Sequence, residues 1–191
     1  MTFRRFAQRI RVPTGFVLAP LLLISARPTP ASIALGAVVS VVGLMIRAWA
    51  SGYLRKNQEL TTSGPYARTR NPLYLGTFIL GTGIAIASGA LWFVALFMAL
   101  YLLIYVPVMM AEAETMRQLF SREYDHYSRR VPLFLPSFLP YRAPSIGDGR
   151  EARIERRFDG ARYLKHREYR AAVGLAVIYA LLAAKFFFIN G

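Results

Sequence analysis

Two stretches of this 191-residue chain combine side chains in a way that could do chemistry. The first runs Thr61-Thr62-Ser63-Gly64-Pro65-Tyr66-Ala67-Arg68-Thr69-Arg70-Asn71-Pro72-Leu73-Tyr74-Leu75-Gly76. Much of it is local architecture: Ser-Gly-Pro makes a turn, Asn71 is placed to cap a helix, and Pro72 suits that helix's first position. Arg70 and the aromatic pair Tyr66 and Tyr74 have no such explanation. The second stretch runs from Glu112 to Pro132 and opens with two carboxylates, Glu112 and Glu114, where a long apolar region ends. Within a bilayer each would cost about 2.5–3.5 kcal/mol, so both must face a polar cavity, a partner or the interface. Two residues apart on a helix, they point about 200° away from each other, which argues against a paired-carboxylate acid–base device. One is expected to face a site and the other solvent. Tyr124 and Tyr127, three apart, share a helix face.

The rest of the inventory narrows the chemistry further. There is no cysteine, which excludes disulfides, thiolate metal sites and cysteine nucleophiles. With only His126 and His166, no metal centre is expected. The formal charge of +14 is nearly all arginine. In a soluble protein it would suggest nucleic acid; beside so much apolar sequence it suggests anionic headgroups and a cytoplasmic membrane face.

The elements that must position these residues are membrane helices. The chain is 55% hydrophobic and only 18% charged, with a mean hydropathy of +0.35, whereas soluble chains carry roughly 25% charged residues. From Asn71 to Ala111 there are 41 residues without Asp, Glu, Lys or Arg. As one helix this run would be about 60 Å long, twice the hydrocarbon thickness, so it must fold back, and Ser88-Gly89 is the reversal point. A first, short span is read over Val12–Ala26, in preference to a cleaved signal peptide. A second covers about Ala31–Leu54 with Arg47 snorkelling from it, and a last covers Ala171–Ile189 with Lys185 snorkelling. Pro107 reads as an ordinary membrane kink, and Gly76, Gly81 and Gly83 as close-packing positions.

The expected fold is therefore all-α: a polytopic membrane protein of about five transmembrane helices, with a cytoplasmic pocket at the helix 3–4 hairpin. Residues 1–140 form the core with four spans, 141–170 a basic cytoplasmic or interfacial segment, and 171–191 the C-terminal span. Arginines at 4, 5, 9 and 11, in the 55–70 loop and through 112–170 put the N-terminus and both motif stretches in the cytoplasm. Segment 141–170, with nine basic and five acidic residues, is expected along the interface rather than on nucleic acid.

Taken together, Gly64-Pro65-Tyr66, Arg70-Asn71-Pro72-Leu73-Tyr74-Leu75-Gly76, Glu112-Ala113, Phe120-Ser121-Arg122-Glu123-Tyr124-Asp125-His126-Tyr127 and Arg130-Val131-Pro132 resemble, in order and spacing, the isoprenylcysteine carboxyl methyltransferase family with the related phospholipid methyltransferases. That family's pattern is Gly-x-Tyr, Arg-His-Pro-x-Tyr-x-Gly, a membrane hairpin, Glu-Glu, Phe-Gly-x-x-Tyr-x-x-Tyr and Arg-Val-Pro. The resemblance covers about residues 31–136. Here Asn71 replaces the histidine, Ala113 replaces the second glutamate, and Gln58-Glu59 stand where a histidine is frequent. The arginines that precede the glutamates in prenylcysteine enzymes are absent from Val106–Ala111. The cofactor site is thus expected to be kept, without prenylcysteine recognition.

The resemblance implies a membrane enzyme that uses S-adenosylmethionine, in which positive sulfonium charge is neutralised by in-line displacement. Such a reaction needs alignment and shielding from water more than a strong base, which suits a chain poor in histidine. The implied cofactor-binding residues are Gln58, Leu60, Tyr66, Arg70, Asn71, Pro72, Tyr74 and Glu112, with Glu112 on the ammonium group and the tyrosines on adenine or the sulfonium. Glu114, Tyr124, Tyr127 and Arg130 are implied on the substrate side. The expected partners are the bilayer and a lipophilic or amphipathic acceptor bearing a carboxylate, thiol or amine, small thiols included. The alternatives are a sterol-type membrane reductase using NADPH, whose phosphates would favour more arginines around the site, and a nonenzymatic lipid-binding protein.

Overall fold

The computed structural model describes residues 15, 17–54, 60–142, 158–160 and 167–190. Gln58, the arginines at 4–11 and most of 141–170 lie outside the described residues. Among those described, all regular structure is helical: α1 (residues 17–25), α2 (Pro30–Tyr53), a 3₁₀ turn (Gly64–Ala67), α3 (Pro72–Ala87), α4 (Leu91–Ser128) and α5 (Tyr169–Asn190). Three of them, α2, α4 and Tyr169–Ile189 of α5, are long and apolar enough to cross a membrane. The two further crossings expected from the sequence would be α1 and α3. At 16 residues α3 is about 24 Å long, less than the hydrocarbon thickness.

Each boundary has a local cause. Helix α2 opens with Thr29 and Ser32 in a reciprocal capping box and Pro30 in the first turn. The uncharged run reverses at Ser88-Gly89, as its length requires. Gly89 has a φ of 72°, and a Cβ there would overlap the Arg27 carbonyl oxygen, so only glycine fits. Helix α4 carries Pro107 inside it, but its backbone departs from helical angles at Ser121 (φ 36°, ψ −109°). The break lies beyond the apolar part, where Tyr124 and Tyr127 join a cluster with Val131, Leu60, Met116 and Phe120.

Helices α2 and α3 form the tightest seam. A Cβ on Gly43 would overlap the Leu80 backbone nitrogen and sit 2.6 Å from the Gly76 carbonyl oxygen. One on Gly36 would sit 2.6 Å from Ala87 Cβ, and one on Gly83 2.6 Å from the Gly36 carbonyl oxygen. Small residues let the two backbones touch, the usual way membrane helices associate. At the reversal end Leu22, Ala26, Ala85, Ala87, Phe93 and Leu182 bring α1, α3, α4 and α5 together.

Two basic residues do something other than snorkel. Lys185 donates to the carbonyls of Leu23 and Ile24 at the end of α1, satisfying acceptors that the helix terminus leaves open. Arg47 turns sideways, across α3, to partners described below. In both cases the charge is satisfied by protein acceptors.

Candidate functional site

The first stretch builds its shape from the 3₁₀ turn. Gly64 takes a φ of 60°, and a Cβ there would meet the Tyr53 ring at 2.7 Å. The turn buries Tyr66, whose carbonyl accepts a 2.6 Å hydrogen bond from the Tyr127 hydroxyl. Burial raises the Tyr66 phenol above its ordinary range, and the carboxylates of Glu168 and Glu112 raise it further. It therefore stays neutral at physiological pH, between two acids supplied by different parts of the chain.

Residues 67–71 are held from outside by an extended strap, residues 131–141, running antiparallel to them. Arg70 N donates to Pro132 O (2.9 Å), Ser137 N to Arg68 O (2.7 Å), and Tyr141 N to Ala67 O (2.7 Å). Thr69 Oγ1 donates to Phe134 O at 2.8 Å. Asn71 occupies the N-cap position of α3 with Pro72 next, as the sequence indicates. Its side chain makes no capping bond; Nδ2 donates to Leu133 O at 2.8 Å instead. Asn71 thus fastens the strap, one residue beyond Arg130-Val131-Pro132, to the start of α3.

These elements surround a cavity of about 620 Å³, inside the range usual for small-molecule sites. One wall comes from α4 and its bent end: Glu112, Ala113, Met116, Phe120, Tyr124 and Tyr127. A second comes from Leu60, Tyr66 and the start of α3, with Arg70, Asn71, Pro72 and Tyr74. A third comes from α2 and the residue before α5: Arg47, Ser51, Leu54 and Glu168.

The polar groups are paired across walls. Tyr74 donates to Glu112 Oε1 at 2.7 Å, and its own carbonyl accepts from Tyr101 at 2.7 Å. Arg70 Nη1 donates to the Tyr124 hydroxyl at 3.1 Å, with the guanidinium 5.9 Å from that ring's centroid. Arg70 Nε is buried with no hydrogen-bond partner, which leaves one donor unspent at the cavity wall. Arg47 donates to Glu168 Oε2 through Nη2 (2.8 Å) and Nε (3.2 Å), and to Thr77 through Nη1. Gly76 is small because the Arg47 stem crosses it: a Cβ there would lie 2.7 Å from Arg47 Cγ.

Of the residues singled out by sequence, Leu60, Tyr66, Arg70, Asn71, Pro72, Tyr74, Glu112, Tyr124 and Tyr127 all line this one cavity. Gln58 lies outside the described residues. Glu114 and Arg130 are exposed and outside the lining; Glu114 instead faces Arg117 at 3.4 Å. The divergence of the two carboxylates on α4 follows the helical geometry. Arg47 and Glu168 were not singled out. Arg47 carried a signal, a charge inside an apolar span; Glu168, one of five acids in a basic segment, carried none. Among the described residues no group of three His, Cys, Asp or Glu side chains could hold a metal ion.

Residues 31–123 match the phospholipid methyltransferase family. Two curated relatives are similar over part of their length. The nickel-cobalt-cadmium resistance protein NccN of Alcaligenes xylosoxydans xylosoxydans is 33% identical over 113 residues, 58% of this chain and 51% of that protein. The cobalt-zinc-cadmium resistance protein CzcN of Cupriavidus metallidurans is 32% identical over 142 residues, 71% of this chain and 65% of that protein. The chain thus spans about half of one relative and just under two thirds of the other. No solved structure matches.

Proposed function

We propose that this chain, whose residues 31–123 match the phospholipid methyltransferase family, is an S-adenosylmethionine-dependent membrane methyltransferase acting on a lipid-like or amphipathic acceptor. The observation that carries this reading is the convergence of two motif stretches, 38 positions apart at Tyr74 and Glu112, on one cavity through a 2.7 Å bond.

The residues present fit such a cofactor. It bears an ammonium, a carboxylate and a sulfonium, and the cavity offers a carboxylate at Glu112, an unspent guanidinium donor at Arg70 Nε and a neutral buried phenol at Tyr66. Glu112 would take the ammonium, Arg70 the carboxylate, and the rings of Tyr66 and Tyr74 would lie against adenine or the sulfonium, a contact worth about 0.5–2 kcal/mol. When bound, S-adenosylmethionine supplies an electrophilic methyl group. The chain's own contribution is positional. Tyr74 fixes the Glu112 carboxylate, the strap fixes the Arg70–Asn71 backbone, and the α4 wall with Met116 and Phe120 keeps water from the acceptor. An acceptor that arrives ionised, as a carboxylate or thiolate, needs no base from the protein. A protic amine would find one carboxylate, Glu168, on the α2 side of the cavity.

The reading extends to topology: five crossings, with the N-terminus, residues 55–70 and 112–170 on the cytoplasmic side. Arg129→Cys in this cysteine-free chain should then react with an impermeant thiol reagent only from that side; reaction only from the opposite side overturns the orientation. For the cofactor, titration calorimetry of the detergent-purified protein should give micromolar binding of S-adenosylmethionine or its demethylated product, about −8 kcal/mol. Binding of NADPH with none of either ligand would replace the methyltransferase with the reductase reading.

A further inference from the structure

The strap has an outer face that the cavity does not use. Leu135, Phe138 and Leu139 are 70%, 96% and 81% exposed, three large apolar side chains within five residues. The strap is nevertheless well held: its backbone is bonded to residues 67–70, Arg68 Nη1 donates to Phe138 O at 2.7 Å, and Asn71 holds Leu133. A fixed segment that displays apolar side chains needs an occupant for that face.

Its depth says which. The Phe134 ring packs edge-on against Phe78 at 5.6 Å. Phe78 stands six residues into α3, about 9 Å along an apolar helix from its first residue. The strap therefore runs beside α3 at Phe134, and Leu102 and Leu103 of α4 are likewise exposed apolar side chains. The charge nearest it in sequence is positive, while Glu123 lies close enough to act on the Tyr141 phenol at the end of the strap. Arg68, Arg129, Arg130 and Arg142 are exposed, and positions 126–147 contain no acidic residue. An apolar tip ringed by arginines complements the boundary between acyl chains and anionic headgroups.

We propose that residues 133–139 are an interfacial anchor that seats Leu135, Phe138 and Leu139 in the headgroup–acyl boundary of an anionic bilayer, and that the seated strap, through its bonds to residues 67–71, holds the Arg70–Asn71 wall of the cavity. This goes beyond methyl transfer and does not depend on it. Lipid on the outer face of the strap and the cavity on its inner side share one set of backbone hydrogen bonds, so membrane composition reaches the site through them.

The test uses the full chain with Phe138→Cys, a position exposed enough to leave the fold intact, labelled with a polarity-sensitive fluorophore. Leu103→Cys on α4 is the deep reference and Gln118→Cys the aqueous one. In phosphatidylcholine vesicles containing phosphatidylglycerol, the label at 138 should emit near the Leu103 value, be quenched by lipids brominated near the headgroup, and resist aqueous iodide. In phosphatidylcholine alone the shift should be smaller, and Arg129→Gln with Arg142→Gln should abolish the difference. Emission and iodide quenching equal to Gln118→Cys overturn the anchor, and identical responses in the two vesicles overturn its anionic preference. Exposure in vesicles of purified protein with shielding in native membranes assigns the face to a protein partner and overturns the proposal.

Discussion

Helix α3 meets its two neighbours in opposite ways. Against α2 it closes to backbone contact through Gly36, Gly43, Gly76 and Gly83. Against α4 it is held off by rings: Phe78 on Phe97 and Tyr101, and Tyr74 on Tyr105. The glycine seam leaves no volume to spare, and only at its Arg47 end does a charged side chain pass across α3 to the cavity. The aromatic side ends in hydroxyls that reach across, Tyr74 to Glu112 and Tyr101 to the Tyr74 carbonyl, and there the helices part around about 620 Å³. Rigidity on one side and space on the other come from side-chain size alone, and they make different predictions for mutation.

The largest effect belongs to the seam. Gly43→Ala places a methyl group on the α3 backbone at Leu80 and Gly76, where nothing flexible can yield. Separating α2 from α3 should cost about 3 kcal/mol or more, and the purified protein should lose its monodisperse peak on size-exclusion. Gly174→Ala is the matched comparison. Its Cβ meets nothing within 4 Å, so the same substitution should leave the melting temperature unchanged or raise it slightly. A stable, monodisperse Gly43→Ala protein would break the claim that the seam is closed by backbone contact.

On the open side the effects move from folding to binding. Glu112→Gln keeps the shape but removes the charge at the end of the Tyr74 bond. A charge-assisted hydrogen bond is worth about 1.5–3 kcal/mol, so affinity for S-adenosylmethionine should fall about tenfold to a hundredfold with the melting temperature held. Unchanged affinity in calorimetry would take Glu112 out of the site.

Glu168→Gln should act on stability as well, to a smaller extent. It leaves Arg47 a cation in a largely apolar helix, with its side chain only 22% exposed. Fully buried pairs lose about 3–5 kcal/mol when broken; with the cavity open to water beside Arg47, about 1–2 kcal/mol is expected. That corresponds to a drop of roughly 2–8 °C for a chain of this size. Pairing the change with Arg47→Met should recover most of it in a double-mutant cycle, and strictly additive losses would show that the two residues do not act as a unit.

How far the sequence discloses all this depends on the range of each contact. The reversal at Ser88-Gly89 follows from a run too long to span once, and the start of α3 from Asn71-Pro72, both local matters. The convergence of residues 64–76 with 112–127 is legible because a hairpin returns its two ends to one place. The partner of Arg47 is not legible: Glu168 lies 121 positions away, across segments with no periodic signal. Asn71 is read correctly as the residue that precedes α3 and incorrectly as its side-chain cap, because the Leu133 carbonyl that orients its amide through Nδ2 is brought there only in the folded chain. Pro107 is the visible helix breaker, yet the break falls at Ser121, where packing of Tyr124 and Tyr127 outweighs local preference.

The smallest expected effect tests the comparison most sharply, because it concerns a residue with the chemistry of Glu112 in nearly the same place. Glu114 is two positions further along α4, about 200° around the helix axis. It faces Arg117 at 3.4 Å, with side chains about half exposed on both partners. Exposed pairs of this spacing contribute roughly 0.3–0.5 kcal/mol, and Arg117 keeps a 2.9 Å bond to Asp125 when Glu114 is neutralised. Glu114→Gln should therefore leave cofactor affinity within about twofold of the parent protein and shift the melting temperature by no more than about 1–2 °C. Neither a general loss of negative charge at the end of α4 nor a local loosening of the helix would separate the two glutamates, since both changes share them. Only a cavity that admits one face of α4 gives a large loss at 112 and none at 114. Equal losses in the two variants would mean that the bilayer-edge charge matters and the cavity wall does not; a loss at 114 alone would move the cofactor to the opposite face of the helix.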